Sequence, residues 1–151
     1  MSIDLGKDMG LSIWSKHQGV EYTEEFKFES LKQLHEKIQL LVTKWMPDLI
    51  LMPYPTRFYY TVLKHGKMMG VIQLIAERGD IQTIEVQDAT CKKVAIRDGE
   101  VGKTKKPEIL KYYQDNGVTR KIGSESEHIL DSIMFTQWYL FSTDQRDLWQ
   151  Y

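Results

Sequence analysis

Ser2-Ile3-Asp4-Leu5-Gly6-Lys7-Asp8-Met9-Gly10-Leu11-Ser12-Ile13-Trp14 opens the chain, and its reading decides the fold. An apolar strand over Met1 to Leu5 carries a carboxylate at its end, a glycine-bounded turn follows, and Leu11 to Ser15 reads as a second strand. Val20 to Phe28, where apolar and polar residues alternate around Tyr22, Phe26 and Phe28, is a third. Three such strands suggest an antiparallel meander. A carboxylate ending a buried strand beside a glycine turn is how several enzyme folds hold a metal or a phosphate, so Asp4 leads the candidates for chemistry.

Beyond the meander, Ser30 caps a helix to about Trp45, with Leu31, Leu34, Ile38, Leu41 and Val42 at helical spacing. The short apolar run Asp48 to Met52, set between prolines, fits a buried parallel strand. A helix from about Thr56 to Glu77 follows, Arg78-Gly79-Asp80 breaks it, and Ile81 to Val86 is the fifth strand. Asp88 or Thr90 starts a short helix, Gly99 and Gly102 mark a loop, Pro107 suits the first turn of another helix, and Ser124 caps a last helix to about Phe141. The expectation is a single α/β domain over 1–151, a five-stranded mixed sheet flanked by helices. Ligands in such sheets gather beyond the carboxyl ends of the strands, where Asp4 lies.

With 151 residues, 42% hydrophobic and 27% charged, the chain can bury a real core as one domain. No apolar stretch approaches the roughly 20 residues needed to span a bilayer, and the N-terminus lacks the pattern of a signal peptide, so a cytoplasmic protein is expected. The single Cys91 excludes an internal disulfide and a cysteine-clustered zinc site, and it reads as a packing residue. Net charge is −1, yet Thr90 to Lys121 holds nine basic residues against four acidic ones, a local excess of +5 that leaves −6 elsewhere. That segment is either a solvated loop or a surface for a polyanion.

The last helix holds a second polar cluster. Glu127, His128 and Asp131, at spacings of three and four, share a face near its N-terminus, beside the apolar stripe Ile129, Leu130, Ile133, Met134 and Trp138. Taken alone, the acids fit the positive end of a helix dipole and the histidine an ordinary surface. An Asp at position 131 is either at the rim of the core or buried with a partner.

Combined with Asp4 on a first strand and the order of elements, this constellation resembles the RuvC-type Holliday junction resolvases of the ribonuclease H-like superfamily. Ile3-Asp4-Leu5-Gly6 with Gly10-Leu11-Ser12 looks like the family's first strand and turn, and His128-x-x-Asp131 matches its terminal-helix pattern. Met69-Gly70-Val71-Ile72 looks like the core of the middle helix, Glu85-Val86-x-Asp88-x-Thr90-x-Lys92-Lys93 like the entry to the basic loop, and Lys106 before Ile109 like a later lysine. One departure stands out. The family carries a glutamate at the end of the fourth strand, where this chain reads Leu51-Met52-Pro53-Tyr54; Glu85 and Glu127 are the nearest substitutes.

The resemblance implies metal-assisted hydrolysis of a DNA phosphodiester in a four-way junction. Asp4, Asp131 and His128, with Glu127 or Glu85, would hold Mg²⁺ or Mn²⁺, which suit carboxylate-rich sites completed by water. Lys106, Lys103 and Lys105 would contact phosphate near the cut, with Lys92 and Lys93 on the same basic segment. Arg57 and Phe58 are either wedges into opened bases or ordinary core and rim residues. Paired incisions imply a homodimer, placed by the resemblance on the middle helix at Val62, Gly66, Met69 and Gln73. A compact resolvase of this size would suit a bacteriophage. The rival is a noncatalytic nucleic-acid-binding module that kept the fold and lost the fourth-strand glutamate. An actin-like or sugar-kinase ATPase, which also opens on such a turn, needs a duplicated second domain that 151 residues cannot supply.

Overall fold

Alternation along the first 27 residues produces the meander: β1 (Ser2–Asp4), β2 (Asp8–Ser15) and β3 (Gly19–Lys27), paired antiparallel in that order. The computed structural model describes residues 1–54, 59–87, 90–91, 106–115 and 126–143. β2 starts at Asp8, three residues before the expected Leu11, so Gly10 belongs to the strand and not to the turn. β4 (Leu49–Pro53) lies parallel to β1, and β5 (Gln82–Val86) parallel to β4, completing a five-stranded mixed sheet of order β3-β2-β1-β4-β5.

Among the described residues the sheet is flanked by α1 (Leu31–Trp45), α2 (Tyr59–Arg78), α3 (Lys106–Asp115) and α4 (Glu127–Ser142). Ser30 caps α1 as expected, its Oγ accepting from the Gln33 amide at 3.2 Å. The helix stops at Met46, whose left-handed φ of 44° lets its amide reach the Val42 carbonyl at 2.8 Å. The last helix is capped by Ser126 rather than Ser124. Where a short helix was expected after β5, the amides of Thr90 and Cys91 bond the Gln87 carbonyl at 2.8 and 3.1 Å; Cys91 is a buried free thiol.

The period-two alternation of the strands sorts the core into two halves. Ile3, Met9, Leu11 and Met52 point to α1 and α2, meeting Leu34, Ile38, Met68 and Ile72. Leu51 and Val86 point the other way, to Ile109 and Tyr113 of α3 and Ile129, Ile133, Met134 and Phe135 of α4. Each fully buried side chain of this size contributes about 1.5–3 kcal/mol, so both halves are needed to hold the sheet. Between the apolar residues of β1, Ser2 and Asp4 therefore face α4. Ser2 Oγ and Thr136 Oγ1, both buried, lie 2.5 Å apart, and Tyr113 donates to Gln137 Oε1 at 2.6 Å, tying α3 to α4. Among the described residues no helix is long and apolar enough to cross a membrane.

Candidate active site

Three strands contribute one residue each to a row at the carboxyl end of β1. Asp4 is paired with Gly10 of β2, and Gly10 with Glu25 of β3, so all three project toward α4 from the same face. The N-terminus of α4 lies on that row. His128 Nδ1 stands 2.8 Å from Asp4 Oδ2. The backbone of His128 and Ile129 passes over Gly10, so closely that a Cβ there would come within 2.1 Å of His128 C and O and 2.6 Å of Ile129 N. Ser126, the cap of α4, donates its hydroxyl to Glu25 Oε2 and accepts from the Ile129 amide at 3.5 Å.

The Asp4–His128 contact has a chemical polarity. An ionised carboxylate only accepts hydrogen bonds, so a neutral His128 carries its proton on Nδ1 and leaves the Nε2 lone pair for another group. Carboxylate–histidine pairs of this form orient imidazoles that bind metal ions or accept protons. The Asp4 side chain is 16% exposed and that of His128 37%, so the pair is sheltered at one end and open at the other.

Asp131, three residues beyond His128, is 7% exposed, the buried one of the two alternatives its position allowed. Glu127 is exposed in the first turn of α4, where the helix dipole favours a negative charge. At the rim, Asp8 meets Lys27 of β3 at 3.0 Å. The hydrogen bond from Lys27 holds the Asp8 carboxyl below its ordinary range, helped by the charges of Lys27, His128 and Lys7.

Glu85 does not join this group. It is paired with Met52 and exposed, and Met52, with its neighbour Ile3 on β1, packs on the α1/α2 side. Glu85 thus lies on the opposite face of the sheet from Asp4, which removes it as a ligand partner. Carrying the Ser2–Leu51 pairing forward by two residues puts Pro53 beside Asp4 on the same face, paired on its other side with Val86. The strand position next to Asp4 is therefore filled by a buried proline with no carboxylate to offer. Among the described residues, no three His, Cys, Asp or Glu side chains stand close enough to hold a metal ion by themselves.

Arg57, Phe58, Lys92, Lys93, Lys103 and Lys105 lie outside the described residues. Lys106 is the first residue of α3. On α2, Val62 and Gly66 are exposed, but Met69 is 5% exposed in the core and cannot belong to an interface; the neighbouring Gly70 faces outward instead. Gly10 and Glu25 had no assigned part in the site. An isolated glycine inside an apolar alternation was the available signal, since it marks a close backbone approach.

No family model and no curated protein sequence matches the chain. Solved structures do. Thermus thermophilus RuvC in complex with a Holliday junction substrate is similar over 94% of this chain and 92% of its own, with a TM-score of 0.73 at 16% identity. The chain has the RuvC fold. A second Thermus thermophilus RuvC structure gives a TM-score of 0.70 at 15% identity, covering 94% of this chain and 93% of that one. The yeast mitochondrial Holliday junction resolvase gives 0.66 at 12% identity, covering 96% and 78%. At these identities the likeness to RuvC is one of architecture, and nothing in it favours a bacteriophage source.

Proposed function

We propose that this chain is a metal-dependent, structure-selective endonuclease that resolves four-way DNA junctions by hydrolysing phosphodiesters. The observation that carries the reading is the Asp4–His128 pair at the carboxyl end of the first strand of a RuvC fold, with Asp131 three residues further along the same helix.

The donor set suits a hard divalent ion, Mg²⁺ or Mn²⁺. Such ions commonly take one or two carboxylates and complete their shell with water and substrate phosphate, so Asp4 with His128 beside it would hold the ion without a ready-made set of three protein ligands, and Asp131 would reach it through water or once substrate is bound. The imidazole shifts the preference toward Mn²⁺. Bound there, the ion would lower the pKa of water and neutralise charge on the leaving 3′-oxygen. Asp4 holds the imidazole through Nδ1, and the partly exposed His128 would either ligate through Nε2 or take a proton from the attacking water. Lys106 and the basic segment around it draw a polyanion to an otherwise acidic body. Two copies joined through the exposed face of α2 would present two sites to opposite strands of a junction.

One observation favours a second reading. Pro53 beside Asp4 leaves the site a carboxylate short, as in a module that binds junctions without cutting them. Incubating a synthetic four-way junction with the protein and Mg²⁺ or Mn²⁺ separates the two. Cleavage that is lost in Asp4→Asn and Asp131→Asn supports the enzyme; binding without cleavage by the unaltered protein under either ion supports the module.

A further inference from the structure

We infer that Gly10 and Glu25 are positioning residues, a seat on β2 and β3 that sets His128 of α4 against Asp4. The inference deepens the reading of the site given above, and only its cleavage measurement rests on that reading.

The argument starts from distance. A Cβ on residue 10 would meet His128 C and O at 2.1 Å and Ile129 N at 2.6 Å, against a limit near 3.0 Å for real contacts. These are backbone atoms, so no rotamer change relieves them. To clear the limit, the start of α4 would have to retreat by about 0.9 Å, enough to open the 2.8 Å contact between Nδ1 and Oδ2 beyond hydrogen-bond range. Gly10 is also the strand partner of Asp4, so the residue that admits the helix is bonded to the strand carrying the acid. Glu25, paired with Gly10 on the other side, takes the Ser126 hydroxyl and holds the first turn from β3. One row thus gives α4 a carboxylate for its histidine, a gap for its backbone and an acceptor for its cap.

The rest of α4 does not depend on this row. Two turns on, Thr136 bonds Ser2, and Ile133, Met134, Phe135 and Leu140 are buried. Crowding at residue 10 should therefore tilt the N-terminus of α4 and leave the helix docked.

The test uses the full chain and two readouts. In ¹⁵N-labelled protein the His128 Nδ1–H group should give a hydrogen-bonded imidazole signal that disappears in His128→Ala. Gly10→Ala should melt cooperatively but lose or shift that signal, and should cut a four-way junction slower by on the order of 10- to 100-fold. Its affinity for the junction should stay within about twofold, and Gly10→Ala/His128→Ala should cut no more slowly than His128→Ala alone. Glu25→Ala, altered at an exposed position, should shift the same signal and decides the matter if Gly10→Ala fails to fold. An unchanged Nδ1–H signal in the folded variants, or its absence in the unaltered protein, overturns the inference. If the unaltered protein does not cut junctions, the nuclease reading fails and the imidazole signal still decides the seat.

Discussion

Asp4 Oδ2 and His128 Nδ1, 124 residues apart in the chain, stand 2.8 Å apart at the carboxyl end of β1. The contact joins the first strand to the last described helix, so the site exists only when those two distant segments have docked. Ser2 and Thr136 make a second such link from the same two elements, at 2.5 Å.

That second link is structural. Thr136→Val leaves Ser2 Oγ buried without its partner and should destabilise the protein by about 1–3 kcal/mol in urea unfolding. Ser2→Ala/Thr136→Val, which removes both hydroxyls, should recover most of the loss. A double variant weaker than the sum of the singles would contradict this account.

Asp8 gives the site end of the sheet an acid-side dependence. Its pKa is lowered by Lys27, so its contribution is present above the ordinary carboxylate value near 4 and is lost as pH falls through the lowered value. Seen from Lys27, whose pKa is raised by Asp8, the same pair weakens only above the ordinary lysine range. Melting curves of Asp8→Asn should therefore show a shallower loss of stability below about pH 4 than the unaltered protein. The effect is small, because Lys27 is largely exposed. Identical acid limbs would remove Asp8 from the explanation.

Pro53 marks the gap in the ligand set. Pro53→Glu introduces a carboxylate beside Asp4 on the α4 side of the sheet and should tighten Mn²⁺ binding by about tenfold, measured by the loss of the free-ion electron paramagnetic resonance signal. Glu85→Gln, on the opposite face, should leave Mn²⁺ affinity unchanged. The reverse pattern would mean that the register between β1 and β4 does not set the site.

Leu63 and Leu74 on α2 are 51% and 43% exposed, beside Val62 and the outward glycines 66 and 70, where a Cβ would meet nothing within 4 Å. An apolar face of this kind fits close approach of a second α2. Leu63→Lys should convert the protein to a monomer in sedimentation velocity at micromolar concentration without lowering its melting temperature. A monomeric unaltered protein would remove the dimer from the proposal.

Much of this was legible in the chain itself. Alternation in residues 1–28 and the proline-bounded run before Pro53 are local signals, and they led to the sheet. Asp4 stood out as a carboxylate ending a buried strand, whereas His128 and Asp131, ordinary at a helix N-terminus when taken alone, became candidates only through the family resemblance. Local pattern fails where a long-range pairing decides. Glu85 and Val86 both adjoin apolar residues, and only the pairing with Met52 tells which of them faces α4. Ser124 and Ser126 each precede an acid, so local pattern does not choose between them; Ser126 is the cap, and its hydroxyl also reaches Glu25 on a distant strand. Gly10 looked like part of a turn, yet it lies inside β2, left bare by a helix that comes from the other end of the chain.

Cleavage mapping on a synthetic four-way junction tests the central claim most directly. With each strand end-labelled in turn and Mg²⁺ or Mn²⁺ present, the unaltered protein should make paired, symmetric incisions in two opposing strands near the junction centre, leave linear duplex intact, and lose both incisions in Asp4→Asn. Binding of the junction with no incision under either ion, or cutting that survives Asp4→Asn, would contradict the account.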